Sequence, residues 1–260
     1  MKYPDENIRG IGDLIQQFTK HLDGYNGPIW FRGQAVSEWK LEPTLMRLNP
    51  QPPETHLLNR FKQNASLLIQ DPPTGEFGWL FLMQHYRVPT RLLDWSESPL
   101  VALYFAVDSY YDKPGALWAL MPTKLNEKSN FRPEYEHEVP SFEDVHLQNY
   151  LPATIAHEHK SKLFPMAAIA PRNSPRMQAQ QGVFTISHRE NVLIEDIGAQ
   201  GAERDYIWRY IIPPEAKEEV QRQLRMLGYN KFMLFPELES LSDRASQKSF
   251  SGAHCSLTST

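Results

Sequence analysis

Apolar and polar positions along this chain fall into short blocks, and proline stands where the blocks should stop. Over residues 10–22, Leu14, Ile15 and Phe18 share one face, which predicts a short helix. Pro52-Pro53 opens a second helix carrying Leu57, Leu58, Phe61, Ala65 and Leu68, and Pro72-Pro73 closes it. Residues 78–86 are apolar enough for a buried helix. Ser98 has the chemistry of an N-cap and Pro99 that of a first helical residue, so a further helix should run to about Tyr111. A strand is expected at 28–31, running into Arg32-Gly33-Gln34, and a buried one at 116–121.

The stretch from about 122 to 162 is polar, acid-rich and weakly periodic. It reads as an excursion from the core rather than a second domain. Strands are then expected at 164–170, 183–187, 206–212 and 231–235. Before the last of these, Pro213-Pro214-Glu215 starts a helix with Val220, Leu224 and Leu227 on one face, and Gly228 ends it. Residues 246–260 are small and polar and are expected to be disordered. Helices and strands do not alternate strictly, so the class is α+β, one domain over about 10–241.

Composition narrows the function classes. The chain has 260 residues, enough to bury a core without metal or disulfide support. Its 27 Lys+Arg against 31 Asp+Glu give a net charge of −4, which excludes a globally basic nucleic-acid coat but leaves room for a local basic groove. The single cysteine, Cys255, excludes an intrachain disulfide framework and lies in the polar tail, a poor place for a nucleophile. The longest apolar run, 101–107, is far too short for a membrane span. Residues 1–10 are charged and polar without a signal-peptide pattern, so the expectation is a cytoplasmic protein with no membrane partner.

Three segments concentrate chemistry. In Trp30-Phe31-Arg32-Gly33-Gln34, an arginine follows an apolar strand start, and the glycine leaves room for a ligand near the backbone. A guanidinium fork there suits phosphate, although it would equally close a strand end against a carboxylate. The second segment runs Gln84-His85-Tyr86 and then Pro89-Thr90-Arg91-Leu92-Leu93-Asp94-Trp95-Ser96, directly before a helix N-terminus that favours anions. Trp95 and Tyr86 have the rings to stack on a flat ligand, and Arg91 and Asp94 are close enough to interact. The bland alternative makes Arg91–Asp94 a structural pair and Trp95 plain core. The third segment, residues 172–182, carries Arg172, Arg176, Gln180 and Gln181 before a strand. Amides there can orient a hydroxyl but are poor bases.

The histidines at 137, 146, 157 and 159 have no metal-ligand spacing, so no metal is expected. Dinucleotide-fingerprint, phosphate-loop and nucleophile-elbow motifs are missing from the sequence.

FRGQ at 31–34, QHYRVPTRLLDWSESPLVALYFAV at 84–107 and RMQAQQGVF at 176–184 together resemble the FRG domain family, in order and spacing. Arg87 stands where the family more often has glycine. The layout also resembles, more loosely, the ADP-ribosyltransferase fold of the arginine–serine–glutamate class. Phe31-Arg32-Gly33 is similar to its first element. Thr90 to Ser96 with the helix after it is similar to its second, and Gln178 to Gln181 fall where its catalytic glutamate should be.

That resemblance implies an ADP-ribosyltransferase-like mixed sheet and an enzyme using NAD as substrate. It would modify a macromolecular acceptor (RNA, DNA or protein), as a bacterial toxin or phage-defence effector countered by an antitoxin or immunity protein. Phe31, Arg32, Gly33, Gln34, Tyr86, Trp95 and Ser96 would bind the nucleotide. Asp94, Gln180, Arg91 and His85 would carry the chemistry, with Asp94, Glu97 or Glu195 supplying the missing carboxylate. The rivals are a non-catalytic nucleotide- or nucleic-acid-binding module, and a nuclease using His85 with Asp94.

Overall fold

The computed structural model describes residues 2–129, 131, 137–157, 163–197 and 205–237. The expected disordered tail, Cys255, and Glu158 and His159 of the histidine-rich stretch lie outside them.

The described strands are β1 (Glu6–Asn7), β2 (Trp30–Gln34), β3 (Leu92–Ser96), β4 (Gly115–Leu120), β5 (Met166–Ala168), β6 (Gly182–Ile186) and β7 (Ile207–Ile212). They form one mixed sheet in the order β1-β7-β4-β2-β3-β6-β5. Only β1 and β7 pair in parallel; the other neighbours are antiparallel. The helices are α1 (Ile11–His21), α2 (Glu54–Ala65), α3 (Gly75–His85), α4 (Pro99–Val107), α5 (Pro122–Lys128), α6 (Pro152–His157), α7 (Pro175–Ala179), α8 (Lys217–Met226) and α9 (Lys231–Leu234). This is the α+β class the sequence predicts.

The central helix is α4. Ser98 caps it by accepting the Val101 N–H at 3.3 Å, with Pro99 in its first turn. It lies so close to the sheet that a Cβ on Gly33 would sit 1.7 Å from the Ala102 carbonyl oxygen. One on Gly115 would sit 2.4 Å from that of Ala106. The glycine after Arg32 therefore exists for helix-on-sheet packing, not for ligand approach as its sequence context suggests. Because side chains alternate along a strand, Gly33 facing α4 turns Arg32 and Gln34 to the opposite face.

Two hydrophobic clusters follow. One joins α4, α8 and the β2, β4 and β7 strands through Trp30, Leu103, Trp208, Val220 and Leu224. The other packs α2 and α3 against β3, β5 and β6 through Leu58, Leu80, Met83, Leu92 and Ile186.

Three elements differ from expectation. The acid-rich stretch after 122 packs into the fold instead of leaving it: Phe131, Phe142, Leu147 and Tyr150 are buried in the second cluster. The Asn126 side chain grips both the N–H and the carbonyl of Ala167, covering edge strand β5. Residues 231–235 are not a strand. Asn230 accepts the Met233 N–H at 3.0 Å and caps the short helix α9. In α8, Val220 and Leu224 are buried but Leu227, past the last turn, is exposed.

Two helix ends explain the unusual Arg87. Helix α8 ends with Gly228 at φ 87 and a Tyr229 N–H to Leu224 carbonyl bond. Helix α3 ends the same way, with the Val88 N–H on the Met83 carbonyl, the Arg87 N–H on the Gln84 carbonyl, and Arg87 at φ 61. This left-handed backbone is one that glycine adopts without strain. The Arg87 side chain is exposed and does not line the cleft described next.

Candidate functional site: a cationic cleft where the sheet parts

Strands β2 and β3 touch at a single register pair, Phe31 opposite Ser96, whereas β2–β4 and β3–β6 each pair over five residues. Beyond Phe31 the two strands diverge. Between them opens a cleft of about 450 Å³, bounded by β2, β3, α3, α4 and α7. That volume lies within the range that holds a nucleotide-sized ligand.

Arg32 bridges the parting strands. Its Nη1 donates to the Asp94 carbonyl at 2.5 Å, while its Nε is buried and has no hydrogen-bond partner among the described residues. A buried donor left open is costly unless a ligand supplies the acceptor. Burial lowers the Arg32 pKa, the Asp94 carboxylate opposes that, and Arg47 adds to it. An arginine keeps its charge through such a shift.

Lys40, Arg47 and Arg176 line the same cleft, against the carboxylates Asp94 and Asp108. Arg176 rests on the Phe235 ring at 4.6 Å. The Asp108 carboxyl is raised by burial at the end of α4 and drawn back by a Tyr104 hydrogen bond and by Lys231. Four cations against two carboxylates give the cleft a net positive lining, a charge that favours anions.

Asp94 is held in place from α3. The Thr90 hydroxyl donates to Gln84 Oε1 at 2.5 Å, and Gln84 Nε2 donates to Asp94 Oδ2 at 2.8 Å. His85 and Gln180 also line the cleft. Gln180 Nε2 donates to the Leu234 carbonyl at 3.1 Å, which ties α9 to the rim and leaves its Oε1 as a free acceptor.

Several sequence candidates have other roles. Arg91 is outside the cleft and does not pair with Asp94. It is 3% exposed. Its Nε donates to Glu54 Oε2 at 2.7 Å, and its Nη1 and Nη2 donate to the Ser187 and Tyr150 carbonyls. Buried and held by protein acceptors at all three nitrogens, the guanidinium faces the protein interior and not the cleft. Tyr86 is exposed but does not line the cleft.

Trp95 reaches the cleft wall, yet its ring is buried and its N–H donates to Thr185 Oγ1, so it is floor rather than a free stacking face. Gln34 holds Trp118 and the Lys40 carbonyl, and the Ser96 hydroxyl donates to the Gln180 carbonyl. Both line the cleft as framework. Glu97 pairs with Arg172. Glu195 is engaged with the Leu41 N–H away from the cleft, with its pKa raised by burial and drawn back by that bond. Neither glutamate lines the cleft.

Sequence reasoning missed Gln84, Trp39, Lys40 and Arg47 as site residues. Gln84 stands in the Gln84-His85-Tyr86 run at the end of α3, ten residues before Asp94, and that polar run was the available signal. Trp39 and Lys40 come from a loop, and Arg47 ends the short 3-10 helix Thr44–Arg47, with no pattern to mark any of them. The described residues contain no group of three or more His, Cys, Asp or Glu able to hold a metal, and no helix long and apolar enough to cross a membrane.

Fold and cleft together define an α+β domain with a positively lined notch in its sheet. Residues 27–114, about a third of the chain, match the family model of the FRG domain, a span covering β2, α2, α3, β3 and α4. No curated protein and no solved structure matches it.

Proposed function

We propose that the cleft binds NAD and that the protein transfers its ADP-ribose to a macromolecular acceptor. The observation that carries this reading is the open Nε of Arg32 at the point where the sheet parts, ringed by Lys40, Arg47 and Arg176. Those cations hold the pyrophosphate, with Arg32 as a bidentate fork. Breaking the nicotinamide–ribose bond builds positive charge on the sugar, as in glycoside cleavage. The Asp94 carboxylate, fixed by Gln84, stabilises that charge. Gln180 Oε1 accepts a ribose hydroxyl. The bond's electron pair leaves with nicotinamide, and the acceptor's nucleophilic atom bonds the ribose carbon. His85 is the base in the cleft available to take the acceptor's proton.

A second reading is favoured by the third motif. It offers an amide, not a glutamate, so the cleft would bind a nucleotide without turning it over. Labelled NAD incubated with the protein and cell extract, followed by separation of protein, RNA and DNA, decides between them. Label in one fraction names the acceptor. Nucleotide binding with neither label transfer nor nicotinamide release selects the binding module.

A further inference from the structure

Trp39 stands on the rim of the cleft and is 45% exposed, unlike the buried Trp95. Its loop is pinned by polar groups from several sides. The Ser37 N–H donates to the Pro114 carbonyl at 2.8 Å, and Arg209 donates to the Ser37 carbonyl at 2.9 Å. Gln34 holds the Lys40 carbonyl at 3.1 Å, and the next N–H, of Leu41, is on Glu195. Tyr110 meets Trp39 edge-on, with centroids 5.3 Å apart at 83°.

Tyr110 is itself held in a left-handed backbone conformation, φ 51. The fully buried Lys217 fixes both sides of this wall. Its Nζ donates to the Ala35, Ser109 and Tyr110 carbonyls at 2.7, 2.9 and 2.8 Å. A lysine with all three donors engaged serves as an anchor, and it binds the rim loop to the turn that carries Tyr110.

An exposed indole costs solvation, and a non-glycine residue at positive φ costs strain. Neither is needed for the hydrophobic clusters, which exclude Trp39 and Tyr110. Together they present a rigid aromatic face beside Lys40, at the mouth of a cleft whose floor attracts phosphate. We propose that Trp39, braced by Tyr110, is a stacking wall for the purine ring of a nucleoside diphosphate. This rests on the nucleotide-binding part of the function proposed above. It assigns the base-recognition end of that site, with phosphate held by Arg32 and Arg47 and the ring outside at the rim. Stacking reads the π-face and not the edge of the base, so adenine and guanine diphosphates both fit.

The test is calorimetric titration of the whole protein with ADP and with inorganic pyrophosphate. Wild type should bind ADP about tenfold or more tightly than pyrophosphate, the order of one base–aromatic stack. Trp39→Ala should close that gap and leave pyrophosphate binding as it was, while Trp39→Phe keeps most of the gap. Arg32→Ala should weaken both ligands. Trp39 is exposed, so melting curves of these rim variants should stay near wild type.

If Trp39→Ala leaves ADP affinity unchanged while Arg32→Ala lowers it, the purine wall is overturned and the nucleotide cleft stands. If neither ligand binds wild type, both fall. If ADP binding depends on Trp39 but NAD is never turned over, the wall stands and transfer is overturned.

Discussion

Two arginines serve the same strand, β3, and have opposite environments. Arg91 stands just before it, 3% exposed, with Glu54 and two carbonyls each accepting a hydrogen bond from one of its three side-chain nitrogens. Arg32 reaches it from β2, gives one bond to the Asp94 carbonyl and keeps a buried Nε without a partner. The carbonyls that hold Arg91 come from Ser187 and Tyr150, so it ties β3 to the far end of the chain. The cations that share its cleft include Arg47, which repels it, and Arg176. Folding alone explains the first arrangement, because a buried charge must be neutralised. It does not explain the second, in which like charges gather around an open donor. That contrast separates a structural arginine from a binding one more sharply than residue type does.

The largest expected effect falls on the structural side. Glu54→Gln leaves the Arg91 guanidinium buried without its counter-charge, and breaking such a pair costs about 3–5 kcal/mol. Denaturant unfolding should show this loss, with nucleotide affinity retained in whatever fraction stays folded. A variant that unfolds like wild type but has lost NAD turnover would move the Arg91–Glu54 pair into the site and erase the comparison.

How far this contrast was legible beforehand depends on the kind of information it needs. The helix ends were readable because capping is local: Ser98-Pro99 and Gly228 stand in the sequence as they do in the structure. Arg32 and Asp94 were readable singly, as polar groups in an apolar frame, whereas the sequence set Asp94 beside Arg91 and not beside Arg32. The partner of Arg91 was not readable, because Glu54 lies 37 residues away at the start of helix α2 and nothing in its own neighbourhood marks it. The glycine at 33 was read for the right exceptional character and the wrong cause, since the helix it admits follows much later in the chain. Residues 231–235 failed for a different reason. A short apolar run has no period long enough to tell strand from helix, and the Asn230 cap decided it.

The next effect sharpens the binding side. Asp94→Asn keeps the shape and removes the charge. Gln84 can still meet the side-chain oxygen, so stability should change little. Turnover should fall about ten- to a hundredfold, the scale of one electrostatic contact to a charge-developing centre, while the affinity for ADP holds or improves. Single-turnover rates beside binding curves measure this. Full activity in Asp94→Asn would remove the carboxylate from the mechanism and leave the cleft as a binding site. Loss of folding instead would place Asp94 with Arg91 among the structural groups.

The smallest effect separates two roles within a single side chain. Gln180 is framework through Nε2, which holds the Leu234 carbonyl, and site through Oε1, which faces no other partner in the described hydrogen bonds. Gln180→Ala removes both, and a partly buried hydrogen bond of this kind contributes about 1 kcal/mol. Its loss should loosen α9 against the rim and lower the melting temperature slightly. If Oε1 positions the ribose, KM for NAD should rise a few-fold with kcat nearly unchanged, because an amide positions the sugar in ground and transition states alike. Gln180→Glu refines the distinction. It keeps an oxygen toward the ribose but sets a carboxylate against the Leu234 carbonyl, so stability should fall as in the alanine variant while KM recovers. A KM unchanged in both variants would make Gln180 framework only, on the side of Arg91, and leave Asp94 and Arg32 as the polar groups that act on the ligand.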